Sequence, residues 1–530
     1  MVNNGKIMVG YSDHPIELEP SMAMRHGLIA GATGTGKSTT LKVLAEGFSD
    51  LGVPVFLVDA KGDLSSLGMP GKMNAKVQER LETAGIPEAD FVLKEYPVRF
   101  WDVFGRQGVP LRITISDLGP SLIARLLSLT PAQSGVLQVV FKAADENGWQ
   151  LDDLKDLQAM LRYAAEHRQE LSAKYGNISA ASASAIQRSL LELENQQADL
   201  FFGLPALEAD DLLSMTGEQG TINILEAGQL LNQPLLYSAF MLWLLSELSE
   251  ILPEAGALDK PKLALFFDEA HMIFNDAPKV LVDKIAQTVK LIRSKGVAVF
   301  FISQSPADLP DSVLAQLSNR IVHSLHAYTP TEMKGLKAAA AGFRANPAFK
   351  TEEALQQLGT GYALCSLLDA KGVPSIVEQT MILPSQSSFD ALSSQTIARM
   401  AAMDPIMERY GESQDPQSAY EIIEELSAAE NEAREQAERQ KEEEKAARAL
   451  AKEQEKAAKA AAKTTRKKEQ PSAMQKAVKT AARSSARSIG RQTAKSITRT
   501  MLGSKNKSVS RQAENFAGNL VSSLIGSLFK

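Results

Sequence analysis

Residues Gly31 to Ser38 read Gly-Ala-Thr-Gly-Thr-Gly-Lys-Ser. That spacing lets successive backbone N–H groups curl around a polyphosphate while a lysine reaches the outer phosphates and a hydroxyl meets Mg2+. Gly31, Thr33, Gly34, Thr35, Gly36, Lys37, Ser38 and Thr39 are therefore the expected contacts of a nucleoside triphosphate. Lys37 would lie on the β and γ oxygens and Ser38 on the metal. A second signal lies about 230 residues on, where the apolar run Leu263-Ala264-Leu265-Phe266-Phe267 delivers Asp268 and Glu269 at its end. In a P-loop ATPase the first acid supports Mg2+ and the second polarises the attacking water.

Weaker candidates surround this pair. Gln304 follows the apolar run 297–302, where a polar amide can sense the γ-phosphate or hold the water. Arg293 and Arg320 are candidates for an arginine finger, although surface or ion-paired arginines are more frequent. Asp59 and Asp63 end another apolar run and would approach the nucleotide or metal, or else simply form a turn. Asp268-Glu269-Ala270-His271 spells the box that names one helicase group. The late Gln-Arg-x-Gly-Arg run of that group is missing, so His271 is expected to start a helix.

These residues need an α/β scaffold with a parallel sheet, because ligands of open α/β sheets bind at the carboxyl ends of the strands. The pattern predicts strands over 27–30, 54–58, 220–225, 263–267 and 297–302, and helices over 39–48 and 234–252. Residues 1–70 open this core and 216–384 complete it. Between them, 71–215 carries apolar residues at helical spacing, as in 122–129 and 151–161, and reads as a mostly helical insertion. Ser121 is the expected start of the first of these helices, and Thr130-Pro131 follows it. Residues 385–427 read as helical and polar. From 428 to 470 the chain is nearly pure Ala, Glu, Lys, Arg and Gln, with Leu450 its only large apolar residue. A solvated helix or charged linker is expected there rather than a coiled coil.

Charge is unevenly placed. Residues 471–530 hold eleven Lys or Arg and one acid, Glu514, a net +10; a whole-chain charge of −6 then leaves −16 on residues 1–470. A basic tail points to nucleic acid, an anionic membrane surface or an acidic partner, or to a solvated segment. Phe516, Leu520, Leu524 and Leu528, with Val521 and Ile525, fall on one helical face of that tail. The single cysteine, Cys365, can form no internal disulfide. The first eleven residues lack a signal pattern, and no apolar run is long enough to span a bilayer. The expected location is cytoplasmic, with a position peripheral to the membrane or nucleoid left open by the tail.

The order of motifs resembles the HerA/FtsK superfamily of ring-forming P-loop motors, and most nearly the bacterial HerA-like ATPases of the YjgR type. The resemblance rests on Arg25-His26-Gly27 leading into Gly31–Ser38, on Val58-Asp59-Ala60-Lys61-Gly62-Asp63, on 266–271 and 296–306, and on Asn319-Arg320-Ile321. It covers roughly residues 10 to 385. It implies a RecA-like core, hexamers, and ATP with Mg2+ hydrolysed at subunit interfaces. Lys37, Ser38, Asp268, Glu269 and Gln304 would form the site, and Arg293 or Arg320 would complete a neighbour's. HerA proper carries an N-terminal β-barrel that engages a nuclease. Only about 25 residues precede the first core strand here, so that partnership is not expected.

Two functions fit these observations. One is a ring motor that translocates or remodels double-stranded DNA. No zinc knuckle, helix-turn-helix or aromatic-basic RNA motif is present, so it would grip the backbone through basic channel residues. The other is a nucleotide-switched assembly or protein-remodelling ATPase that docks on a membrane or partner through residues 471–530.

Overall fold

The computed structural model describes residues 1–274 and 279–465. Contacts divide the chain into Met1–Ala429 and Glu430–Lys530. Parallel strands covered on both faces are apolar along their whole length, and the first unit is built on strands of this kind. They are β1 (Gly27–Ala30), β2 (Val55–Asp59), β3 (Leu263–Phe267) and β4 (Val297–Ser303), with the more polar β5 (Asn319–His323) beside them. Their order across the sheet is β5-β1-β4-β3-β2, all parallel. One strand thus separates the strand before the phosphate loop from the strand carrying Asp268 and Glu269. This is the expected RecA-like P-loop arrangement. Beyond β5, the strands Tyr362–Ser366, Glu378–Ile382 and Lys6–Tyr11 continue the sheet with antiparallel pairing.

Helix α1 (Lys37–Asp50) covers one face of the sheet, with eleven of its residues buried. Phe48 meets Phe266 and Phe300 at 6.1 and 5.9 Å, and those two rings stack at 4.9 Å. Gly27 lies under this stack. A Cβ there would come within 2.3 Å of the Phe300 ring, so only glycine lets β1 pass it. The opposite face is closed by the helix Pro234–Ile251, where Phe240 packs on Phe56 at 5.9 Å. A helix this apolar on all sides has to be buried, and its central turns are.

The stretch 71–215 departs from a purely helical reading. Val98–Asp102 pairs in parallel with Ile222–Glu226, and that strand pairs with β2, so the insertion extends the sheet as well as covering it. Its first large helix runs Ile115–Leu126, not from Ser121. Thr114 and Asp117 form a reciprocal capping box. Gly119 at φ 70° and Pro120 bend the helix midway, which hides its first half from local pattern. Thr130 and Asp153 cap Pro131–Asn147 and Leu154–Glu166.

Residues 385–388 are not helical either. The buried Glu46 carboxylate on α1 accepts from Gln386 N at 2.9 Å, Ser387 N at 3.1 Å and Ser387 Oγ at 2.5 Å. Lys42, one turn earlier on α1, donates to Ser66 Oγ and to the Ser388 carbonyl. Burial pushes the Lys42 ammonium down to about 8 and the Glu46 carboxyl up. Helices follow at Ser394–Met403 and Met407–Tyr410.

In the second unit the described residues belong to the helix Ala419–Thr465. Side chains 430–459 are exposed. Arg434–Glu438, Arg439–Glu435 and Arg448–Glu444 pair one turn apart, as a solvated helix requires. The expected amphipathic face at 516–528 lies outside the described residues.

His26 precedes β1 and ties it to its neighbours. Its Nδ1 accepts from Val299 N at 3.1 Å, so Nε2 carries the hydrogen that Val289 O accepts at 2.8 Å. Burial lowers its pKa from 6.5 to about 4. Between those values the unfolded chain binds a proton that the native ring refuses, so stability falls as pH drops through the window and is unaffected above it. Urea unfolding at pH 7 and pH 5 is expected to show a loss about 2 kcal/mol greater for the wild type than for His26→Asn. Asparagine is the suitable replacement because His26 sits at φ 58°. Equal losses would mean that His26 does not set this dependence.

Candidate nucleotide site

The loop Gly31–Ser38 leaves β1 between the two strands that flank it. Gly31 N donates to Ser303 O at the end of β4, at 3.3 Å, and Ala32 N donates to Ser324 O just after β5, at 2.9 Å. The loop's foot is thereby fastened on both sides. Thr33 and Gly34 stand exposed at its crown, and Thr35 Oγ1 donates back to Ala32 O at 2.7 Å. Gly36 adopts φ 117° at the start of α1. A Cβ there would sit 3.2 Å from both Gly361 Cα and His323 Cε1, and one on Gly31 would sit 2.5 Å from His323 Cβ. Lys37 Nζ donates to the Gly31 and Ala32 carbonyls at 2.5 and 3.3 Å, which points its charge into the loop. Ser38 and Thr39 begin α1 behind it, where the helix end favours an anion.

At the end of β3, Asp268 is buried, and its Oδ1 accepts from Glu269 N at 2.9 Å. Burial, reinforced by the Glu269 charge, pushes Asp268 up to about 6. Glu269 occupies the left-handed region at φ 45°, a conformation that costs a non-glycine residue of order 1–3 kcal/mol. Its Oε1 meets Lys61 Nζ at 2.7 Å, and its Oε2 faces His271 Nδ1 at 3.3 Å. Burial would raise the Glu269 carboxyl, but the Lys61 ammonium more than offsets this and leaves it below its ordinary value. His271 does open a helical turn, His271–Phe274, and it also faces this carboxylate.

Asp59 is committed to its turn. Its Oδ1 accepts from Lys61 N and Gly62 N at 3.1 and 2.8 Å, and its Oδ2 accepts from Leu64 N at 3.0 Å. Burial, then Asp63, pushes it up to about 7. Asp59, Asp63, Asp268 and Glu269 thus crowd one edge, with the Lys37 and Lys61 ammonium groups among them. That surplus of negative charge suits a divalent cation. No group of three or more His, Cys, Asp or Glu side chains placed to hold a metal ion gathers among the described residues.

Gln304 is exposed immediately past β4, so it stands between the phosphate loop and Asp268. The turn behind it is fixed by Asp308, whose Oδ2 accepts from Ser303 Oγ and Ser305 N at 2.8 and 2.7 Å. The two arginines lie elsewhere. Arg293 is exposed four residues ahead of β4, at the sheet's other edge, near the like charge of Arg25. Arg320 donates to Leu317 O and Gly342 O at 3.3 and 2.9 Å. Neither reaches the phosphate loop of its own subunit.

The sequence model of the family described as helicase HerA-like C-terminal matches residues 4–510. The chain belongs to this HerA-like family. No curated protein sequence matches it. Among solved structures, this HerA-like protein is similar to the bacterial conjugative coupling protein TrwBdeltaN70, with 14% identity and a TM-score of 0.48 over 74% of this chain and 92% of that one. It is also similar to VirB4 of Thermoanaerobacter pseudethanolicus, with 16% identity and a TM-score of 0.45 over 72% and 97%. The TrwB coupling protein in complex with ADP and Mg2+ shares 16% identity at a TM-score of 0.43, over 71% and 88%.

Three features of the HerA-like site escaped the sequence reading. Lys61 was visible only as part of the run 58–63, with no sign that its charge meets Glu269. His323 lies under the loop, its Nε2 2.8 Å from Thr40 Oγ1. Gly361 N donates to Thr35 O at 2.8 Å, and Arg80 of the insertion donates to the Thr360, Gly361 and Ile382 carbonyls behind it. Because Gly36 combines a left-handed φ with a close neighbour on the 360–361 turn, Gly36→Ala is expected to weaken binding of ATP with Mg2+ roughly tenfold or more. Calorimetric titration checks this, and unchanged affinity would show that the loop relaxes freely.

Proposed function

We propose that this HerA-like protein is a Mg2+-dependent ATPase of the cytoplasm that assembles into a hexameric ring and couples ATP hydrolysis to movement or remodelling of double-stranded DNA. The observation that carries the ATPase reading is the convergence of the phosphate loop, Gln304 and the Asp268-Glu269 pair on the ends of β1, β4 and β3, which are neighbours in that order.

Each group then has a task. Backbone N–H groups from Thr33 to Ser38 cradle the phosphates, and Lys37 places its charge on the β and γ oxygens. Ser38 Oγ and the Asp268 carboxylate are the protein groups that would hold Mg2+. When bound, the metal neutralises charge building on the phosphates. Glu269 orients and polarises the water, and Gln304 holds it in line. The finger comes from a neighbouring subunit. Arg293 suits that role better than Arg320, because it is exposed while Arg320 is bound to two carbonyls of its own chain.

Hydrolysis is to be measured with and without double-stranded DNA across a salt series. Glu269→Gln is expected to lower the turnover by about 100-fold or more while ATP still binds. DNA is expected to stimulate the wild type, with the stimulation fading as salt rises, because backbone contacts release counterions. Glu269-dependent hydrolysis that ignores DNA would replace the DNA motor with the assembly or protein-remodelling ATPase that docks through residues 471–530.

A further inference from the structure

Lys61 has no part in the functional reading above, yet it makes the shortest ion pair at the site. It sits in the turn that follows β2, and β2 pairs directly with β3. Its side chain is 44% exposed, whereas that of Glu269 is 10% exposed. A long, part-exposed side chain therefore sets its ammonium against a nearly buried carboxylate. The other oxygen of that carboxylate faces His271. Lys61 holds Oε1, and Oε2 is buried against His271 without a hydrogen-bond partner, so Glu269 has no solvent-facing oxygen to offer a water molecule. A second cation, Lys37, serves the same pocket and points into the phosphate loop.

Resting on the ATPase reading, we propose that Lys61 is a γ-phosphate sensor that exchanges partners, leaving the Glu269 carboxylate for the terminal phosphate of ATP. The exchange couples occupancy to activation. A γ-phosphate brings concentrated negative charge to the edge where Lys61 hangs, and the ammonium gains a partner at least as strong as the carboxylate it leaves. Glu269 is then free to accept a hydrogen bond from the attacking water. ADP lacks the charge that draws Lys61 away, so the pair re-forms after phosphate leaves and the base is covered again. His271 and the turn 59–63 stay in place throughout. Only one ion pair is traded for another, and no proton need move.

The test is equilibrium binding of a non-hydrolysable ATP analogue and of ADP, each with Mg2+, to the full-length protein and its variants. Lys61→Met is expected to weaken the analogue about tenfold and to change ADP by less than about twofold. Lys61→Arg keeps the charge and restores most of the discrimination. Glu269→Gln weakens the hold on Lys61 and is expected to tighten the analogue alone. That gain should vanish in the Lys61→Met, Glu269→Gln double variant. Equal weakening of both nucleotides would reduce Lys61 to a shaper of its loop and overturn the proposal, as would no weakening at all. Additive effects in the double variant would break the claimed exchange. Failure of the underlying reading looks different: the wild type would bind neither nucleotide, or Glu269→Gln would hydrolyse ATP as fast as wild type.

Discussion

A loop that must wrap a polyanion with its own amides cannot also be held by those amides. In this protein the conflict is resolved at the loop's foot. Gly31 N and Ala32 N are given to the carbonyls of Ser303 and Ser324, on the strands either side, while Thr33 and Gly34 at the crown stay exposed. The two flanking strands therefore decide where the loop stands, and they can do so only because the sheet under them is rigid. Apolar strands buried on both faces, the Phe48, Phe266 and Phe300 contacts and a glycine at position 27 supply that rigidity. The strand order then brings Gln304 and Asp268 to the same edge, one and two strands away.

Electrostatics complete what packing begins. Carboxylates gathered at one buried edge form an arrangement that is costly, and the upward shifts of Asp59 and Asp268 express that cost. The edge is poised to receive cations, and the left-handed backbone at Glu269 adds local strain beside the Asp268 carboxylate. Strain and uncompensated charge concentrate at the nucleotide edge, while the opposite edge carries Arg25 and Arg293.

The parts of the site legible in the sequence are those whose constraint is local. The glycines of 31–36 announce themselves because backbone approach fixes their identity, and Asp268-Glu269 does so because an all-apolar strand leads straight to it. Lys61 gives no such sign. Its partner is more than 200 residues away, and only the pairing of β2 with β3 brings them together. The strand Val98–Asp102 escaped for the same reason, since its partner lies beyond the whole helical insertion. The helix at Ile115 escaped because Gly119 and Pro120 interrupt its pattern. Arg293 and Arg320 look alike in motif spacing, and only the structure separates them, one exposed and the other bound to two carbonyls of its own chain.

The last strand of the core ends at Ile382, and motif logic would draw a boundary just beyond. Glu46 contradicts that boundary. Its carboxylate lies in the middle of the helix that begins with Lys37, and three of its hydrogen bonds come from Gln386 and Ser387. The neighbouring Lys42 ammonium depends on Ser388 in the same way. A chain shortened to the motif-bearing residues would leave the buried Glu46 without these three donors, and Lys42 with Ser66 but without Ser388, in the middle of the helix that begins with Lys37. The smallest piece able to fold as an ATPase is therefore longer than the smallest piece that contains its motifs.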